Sequence, residues 1–195
     1  AVSMLGSGDM VTHIFTPLTG AALDGEGNLL PHLIEAQQRG VFMDTAYGDF
    51  NFGWERADAV LDQGLIPDTI ATDVEIHAGD GTRKLSERGL IEYTAFFLKL
   101  GFSLEEVVRM TTTTPAQFLG IYDVVGGLKE GREADVSVLE LIKGKWHLAD
   151  ATGESRVGTE ALIPVATIKA GQMISLGDAP HPWGWAPPTA AVKVL

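Results

Sequence analysis

Asp68-Thr-Ile-Ala-Thr-Asp73, entered through Pro67, is the stretch on which the fold turns. Its middle is apolar and β-branched, and it is bounded by polar residues. That predicts a buried strand over 68–72 that delivers Asp73 to a sheet edge. Reading back from it, Val41-Phe-Met-Asp-Thr45 is built in the same way, and so is Met10-Val-Thr-His-Ile-Phe15. Leu33 to Arg39 reads as a short helix stopped by Gly40, and Phe52 to Gln63 as a helix stopped by Gly64. Thr16 to Pro31 keeps no period and reads as a long loop. Strand, helix, strand, helix, strand at this spacing predicts βαβ units on a parallel sheet. The strand ends then share one edge, carrying His13, Thr45 to Tyr47, and Asp73. In parallel α/β folds that edge carries the chemistry.

Reading forward, Leu90 to Leu100 predicts a helix ended by Gly101. Ser103-Leu-Glu-Glu106 is a capping box that opens another, to about Met110. Thr114-Pro115 interrupts, and a short helix follows with Pro115 at its first position. From Val124 glycines punctuate short β-rich runs. Ala134 to Leu139, Leu162 to Lys169 and Met173 to Leu176 are the strand candidates of a small antiparallel unit. The expected organisation is residues 1–123 as an α/β unit, 124–177 as a β segment, and 178–195 as an extended tail rich in proline. Exposure of Trp183 and Trp185 would be costly, so that tail is expected to dock on something.

Of 195 residues, 45% are hydrophobic, enough for a sizeable core. Asp and Glu number 26 against 14 Lys and Arg, a net charge of −12. Such a surface repels phosphate backbones and anionic lipid, so nucleic acid and membrane are not expected partners. There is no cysteine. Disulfides, thiolate metal sites and a cysteine nucleophile are thereby excluded, and a cytoplasmic setting is expected. No apolar run reaches the roughly 18–20 residues of a membrane span, and no signal-peptide pattern is present.

His13, at a strand end, suits a metal ligand or a hydrogen-bonded structural histidine. Asp73 suits a metal-proximal base or a turn cap. His77, in a loop rich in Gly and Asp, suits a substrate contact or plain solvent exposure. Tyr47 suits a site residue or an ordinary loop tyrosine. Asp44 reads as a partnered structural aspartate. Gly-x-Gly-x-x-Gly before a helix, the P-loop, Gly-x-Ser-x-Gly and His-Glu-x-x-His are all absent.

These landmarks resemble the C-terminal part of the amidohydrolase superfamily, in its dihydroorotase-like amidohydrolase and deacetylase branch. The most specific carriers are Ser103-Leu-Glu-Glu-Val-Val108, Met110-Thr-Thr-Thr-Thr-Pro-Ala116, Phe118-Leu-Gly120, Gly126-Gly-Leu128 and Gly131-Arg-Glu-Ala-Asp-Val-Ser-Val-Leu139. Asp68 to Asp73 is similar to the family's strand bearing a metal-proximal aspartate, and Val11-Thr-His13 to its strand bearing a histidine ligand. The resemblance implies the late part of a (β/α)₈ TIM-like barrel followed by a small β-sandwich segment. It implies zinc, one or two divalent metals in all, activating water against an N-acyl or cyclic amide of a small molecule. Asp73 would be proton shuttle and metal ligand, His13 a metal ligand, and His77 a substrate contact.

The sequence departs from that pattern in two places. No His-x-His occurs, so the family's first-strand ligands are missing. Ala46-Tyr47-Gly48 stands where the family has Gly-His-Gly, so Tyr47 occupies an expected metal-ligand position, and phenol is a poor substitute for imidazole. A barrel alone takes roughly 250 residues. Half of one leaves raw sheet edges, so a second copy or a separate N-terminal half is expected as partner. The competing reading is a non-catalytic, barrel-derived assembly module that has lost its metal.

Overall fold

The computed structural model describes residues 2–19, 21–48, 50–73 and 89–174. It is a mixed α/β structure that divides into two compact units. The first comprises the described residues of Ala1–Arg88 together with Ala149–Ser155, and the second those of Gly89–Leu148 and Arg156–Leu195. His77 and the tail from residue 178 lie outside the described residues.

The first unit is built on alternation. Strand β1 (Met10–Val11) pairs in parallel with β2 (Phe42–Met43), and helix α1 (Pro31–Gln38) lies between them in sequence. Helix α2 (Trp54–Asp62) then leads to a third segment, joined to the second by the parallel bridge Asp44↔Thr69. The predicted order holds, with shorter strands. β1 ends at Val11 because His13 takes φ 62°, which breaks the ladder two residues on. Past Met43 the side chain of Asp44 adds bonds to both neighbouring segments beside those of the backbone. α1 starts at Pro31, two residues before its expected start, with proline in the first turn where its missing N–H costs nothing. The loop from Thr16 to Pro31 contains a bridge, Leu23↔Leu29, closed by an Asp24 carboxylate that accepts from Glu26 and Asn28 N–H. The core holds Phe15, Met43, Phe52, Trp54, Val60 and Leu65, all fully buried. Each such side chain contributes about 1.5–3 kcal/mol of burial.

Helix α2 has Gly53 at its N-cap and therefore no side-chain cap of its own. Asp150 Oδ2 supplies it, accepting Trp54 N–H at 2.8 Å across 96 residues of sequence. A carboxylate there also meets the positive end of the helix dipole.

The second unit opens with α3 (Leu90–Leu100), whose Tyr93, Phe96 and Phe97 are buried against one another. The Ser103–Glu106 capping box is fully formed at the head of α4 (Leu104–Thr111). Helix α5 (Thr113–Phe118) begins two residues before Pro115, which is its third residue and not its first. A proline in the first turn forfeits no helical bond, so both placements are open to it. A three-stranded sheet follows in the order β3 (Val136–Ala149), β4 (Ser155–Lys169), β5 (Gln172–Ile174). β4 and β5 are antiparallel, with Thr167 opposite Ile174. β3 and β4 are much longer than the predicted strands. Among the described residues no helix is long and apolar enough to cross a membrane.

Candidate functional site

The three parallel segments of the first unit end on one edge, and His13, Asp73 and Asn51 meet there. His13 Nε2 and Asp73 Oδ2 are 3.9 Å apart, with side chains 32% and 38% exposed. His13 Nδ1 donates to the carbonyl of Ala46 at 3.0 Å. That bond orients the ring and leaves Nε2 as the nitrogen facing Asp73. Asn51 Nδ2 donates to Asp73 Oδ2 at 3.0 Å, and Thr16 Oγ1 lies 3.4 Å from Asn51 Oδ1. The backbone of the second segment runs alongside the third, with Tyr47 N–H on Ala71 O and Gly48 N–H on Thr72 O.

Both principal residues sit on left-handed backbone, His13 at φ 62° and Asp73 at φ 51°. Each costs about 1–2 kcal/mol for a residue with a Cβ. Strain of this kind persists only where surrounding bonds over-determine it. The buried carboxylate of Asp44 is one such device. It accepts Thr12 Oγ1 and Ala46 N–H on Oδ2, at 2.6 and 3.1 Å, and Thr69 Oγ1 on Oδ1 at 2.6 Å. Hydrogen bonds to a charged group are worth about 1.5–3 kcal/mol each, so this set outweighs the strain at His13. Asp44 is therefore the partnered aspartate that the sequence suggests.

Tyr47 is placed differently from His13 and Asp73. Its ring stacks on Phe52 with centroids 6.0 Å apart, and its hydroxyl donates to the carbonyl of Ala149 at 3.2 Å. Two residues of the site carry no family signal in the sequence. Asn51 is recognisable only through Asp73. Gly48 matters because a Cβ there would stand 2.9 Å from Asp73 Oδ2 and 3.1 Å from Asn51 Nδ2.

As donors for a divalent metal, His13 Nε2 and Asp73 Oδ2 are of the right chemical type, and the Ala46 carbonyl gives His13 the outer contact such ligands use. Among the described residues no group of three His, Asp or Glu side chains converges. The residues present thus fit two positions of a metal site that takes about four donors.

The amidohydrolase family model matches residues 31–174. A deacetylase of Agrobacterium fabrum is 26% identical over 153 residues, 78% of this chain and 36% of that protein. A deacetylase of Enterococcus faecalis is 25% identical over 177 residues, 88% and 46% respectively. The chain thus spans less than half the length of these relatives. Among solved structures, an adenine deaminase superposes with TM-score 0.80 at 24% identity, over 89% of this chain and 46% of that one. A dihydroorotase superposes with TM-score 0.70 at 24% identity, over 89% and 44%. These likenesses concern the fold. With the family model covering most of its length and a matching fold, the chain belongs to the amidohydrolase family.

Proposed function

We propose that the chain carries the late-barrel half of a metal-dependent hydrolase acting on N-acyl or cyclic amide bonds of small molecules. In this reading residues 1–123 belong to a (β/α)₈ barrel and 124–177 to a β-sandwich segment. The observation that carries the proposal is the convergence of His13 Nε2 and Asp73 Oδ2 at 3.9 Å on the edge of the parallel segments. The deacetylase relatives support the bond type. Zinc as the metal and a cytoplasmic setting are part of the same proposal.

A divalent metal, when bound, supplies a Lewis acid that lowers the pKa of water and polarises a carbonyl. His13 would hold it through Nε2, since Nδ1 is committed to Ala46. Asp73 would hold it through one carboxylate oxygen. Asp73 is also the base that takes the proton of the attacking water and returns it to the leaving nitrogen. Asn51 keeps the carboxylate facing His13 while it does so. His77, which lies outside the described residues, is proposed as a substrate contact, and Tyr47 is proposed to sit beside the metal with its hydroxyl held on the Ala149 carbonyl.

Two donors do not complete a site, so we place a second copy of the chain, or a separate N-terminal half, at the open edge. Light scattering tests this part. A stable, monodisperse monomer of 20.8 kDa would overturn it. The chemistry is tested by zinc reconstitution and elemental mass spectrometry on the wild type, His13→Ala and Asp73→Ala, with hydrolysis of N-acetylated amino acids and cyclic amides assayed in parallel. Bound zinc that both substitutions remove, and hydrolysis that Asp73→Ala lowers at least about 100-fold, is the expected result. Zinc retained in both variants, or hydrolysis unchanged by Asp73→Ala, rejects the reading, and no zinc in the wild type rejects completion of the site by a second copy and leaves the separate N-terminal half. A non-catalytic assembly module is the second reading, favoured by the engagement of the Tyr47 hydroxyl with Ala149.

A further inference from the structure

Asp44 is 4% exposed, and the hydrolysis scheme gives it no proton to move. Its bonds nevertheless converge on one neighbour. Its N–H donates to Val11 O at 2.8 Å and its carbonyl accepts Ile14 N–H at 3.2 Å, so its backbone brackets His13 from both sides. Its Oδ2 accepts the hydroxyl of Thr12, the residue before His13, and the N–H of Ala46. The carbonyl of Ala46 is in turn the acceptor for His13 Nδ1. The other oxygen, Oδ1, accepts Thr69 Oγ1 on the segment that leads to Asp73.

We propose that Asp44 is the positioning residue of the site: it fixes both the left-handed backbone and the ring of His13, so that Nε2 faces Asp73. The purpose of this device rests on the metal-ligand reading of His13, but its geometry does not. A carbonyl cannot donate, so the bond to Ala46 requires the proton on Nδ1, and in the neutral ring that leaves the lone pair on Nε2. Asp44 Oδ2 anchors Ala46 from its N–H side and holds the hydroxyl next to His13, while the following peptide plane, which carries the Ala46 carbonyl, is held by Tyr47 N–H on Ala71 O. A carboxylate serving stability alone has no reason to set the tautomer of a histidine it does not touch. Asp44 does so at one remove, and its two oxygens divide the work. Oδ2 governs His13 and Oδ1 governs the neighbouring segment.

The test is nitrogen-15 NMR of the imidazoles in the full, metal-free chain at about pH 8, where free histidine is neutral. The wild type is expected to show His13 as the Nδ1–H tautomer. Asp44→Asn is expected to keep it. The amide oxygen can take the place of Oδ2, and the amide nitrogen can donate to a rotated Thr69 hydroxyl. Asp44→Ala is expected to give mixed tautomers. Thr12→Val is expected to shift His13 toward the mixture, while Thr69→Val leaves its signals as in the wild type. If Asp44→Ala does not fold, the comparison of Thr12→Val with Thr69→Val decides alone. Unchanged His13 signals in the folded Asp44→Ala or in Thr12→Val, or equal disturbance by Thr12→Val and Thr69→Val, overturn the proposal. A zinc titration of the same proteins separates it from the functional reading. With zinc bound, Thr12→Val is expected to weaken affinity about 10–100-fold. If the wild type takes no zinc but the tautomers behave as stated, the positioning role stands and metal binding by this chain alone falls.

Discussion

Asn51 Nδ2 donates to Asp73 Oδ2 at 3.0 Å, and this is the same oxygen that faces His13 Nε2 at 3.9 Å. That carboxylate oxygen is thus held by an amide that cannot ionise and faces an imidazole nitrogen beyond hydrogen-bond reach. The amide fixes where the oxygen is without competing for its proton.

Asn51→Ala is accordingly expected to loosen Asp73 without removing it. Zinc affinity, read by titration against a colorimetric chelator, should fall about 10–100-fold. Thermal unfolding should change little, since Asn51 is only half-buried. Affinity equal to the wild type would show that Asp73 needs no such partner.

Gly48→Ala is expected to do more damage than its size suggests. Gly48 has φ 48°, and a methyl there would press on Asp73 Oδ2 at 2.9 Å. Backbone strain of about 1–2 kcal/mol adds to the displaced carboxylate. A drop of that size in chemical-denaturation stability, together with weakened zinc binding, is the expected pair of results. Stability loss with unchanged zinc binding would place the methyl away from Asp73.

Acid should weaken the second unit through two carboxylates, the half-buried Asp135 and the exposed Glu106. The Lys169 ammonium, then the Ala170 N–H, hold Asp135 below the ordinary aspartate value, and the Ser103 side chain and N–H do the same for Glu106. A carboxylate with a lowered folded pKa contributes fully above its ordinary value and loses that contribution as pH falls through the folded one. Lys169 is shifted upward by Asp135, so its share is present below the ordinary lysine value and is lost as pH rises beyond it. Urea midpoints should therefore fall below about pH 4. The fall should be shallower in Asp135→Asn, and equal slopes in the two proteins would remove the pair from the account.

Asp150 is expected to matter out of proportion to its place in a turn. One oxygen accepts Thr152 N–H, the Thr152 hydroxyl and Glu154 N–H, and the other caps α2 at Trp54. Asp150→Ala should cost about 2–3 kcal/mol in urea unfolding, with Asp150→Asn recovering part of it. A cost below about 0.5 kcal/mol would mean that water caps the helix equally well.

The fold was legible wherever local chemistry decided it. Ser103 and Glu106 announce α4 because their bonds are made within four residues. The order of the parallel segments followed from short β-branched runs separated by helical ones. The long β3–β4 pair was hidden because Gly144 and Gly158 are among the glycines that punctuate the sequence after Val124. Gly158 in fact sits in a strand with Leu148 Cδ1 2.9 Å from where its Cβ would be, a close approach that no local pattern records. His13 and Asp73 were readable as strand-end residues, and the structure places them together. Asn51, Gly48 and the role of Ala46 were not readable, because each acts through a partner more than twenty residues away.

The turn at Ala149–Ser155 has a consequence for the order of folding. It returns to the first unit about a hundred residues after the groups it satisfies, Trp54 N–H and the Tyr47 hydroxyl. During synthesis the first unit emerges with the head of α2 uncapped, and it stays so until β3 has left the ribosome. Loop closure over that length is slow and entropically costly. The nascent chain therefore holds an incomplete first unit while about a hundred further residues are added, and a chain ending at Leu148 would hold it permanently.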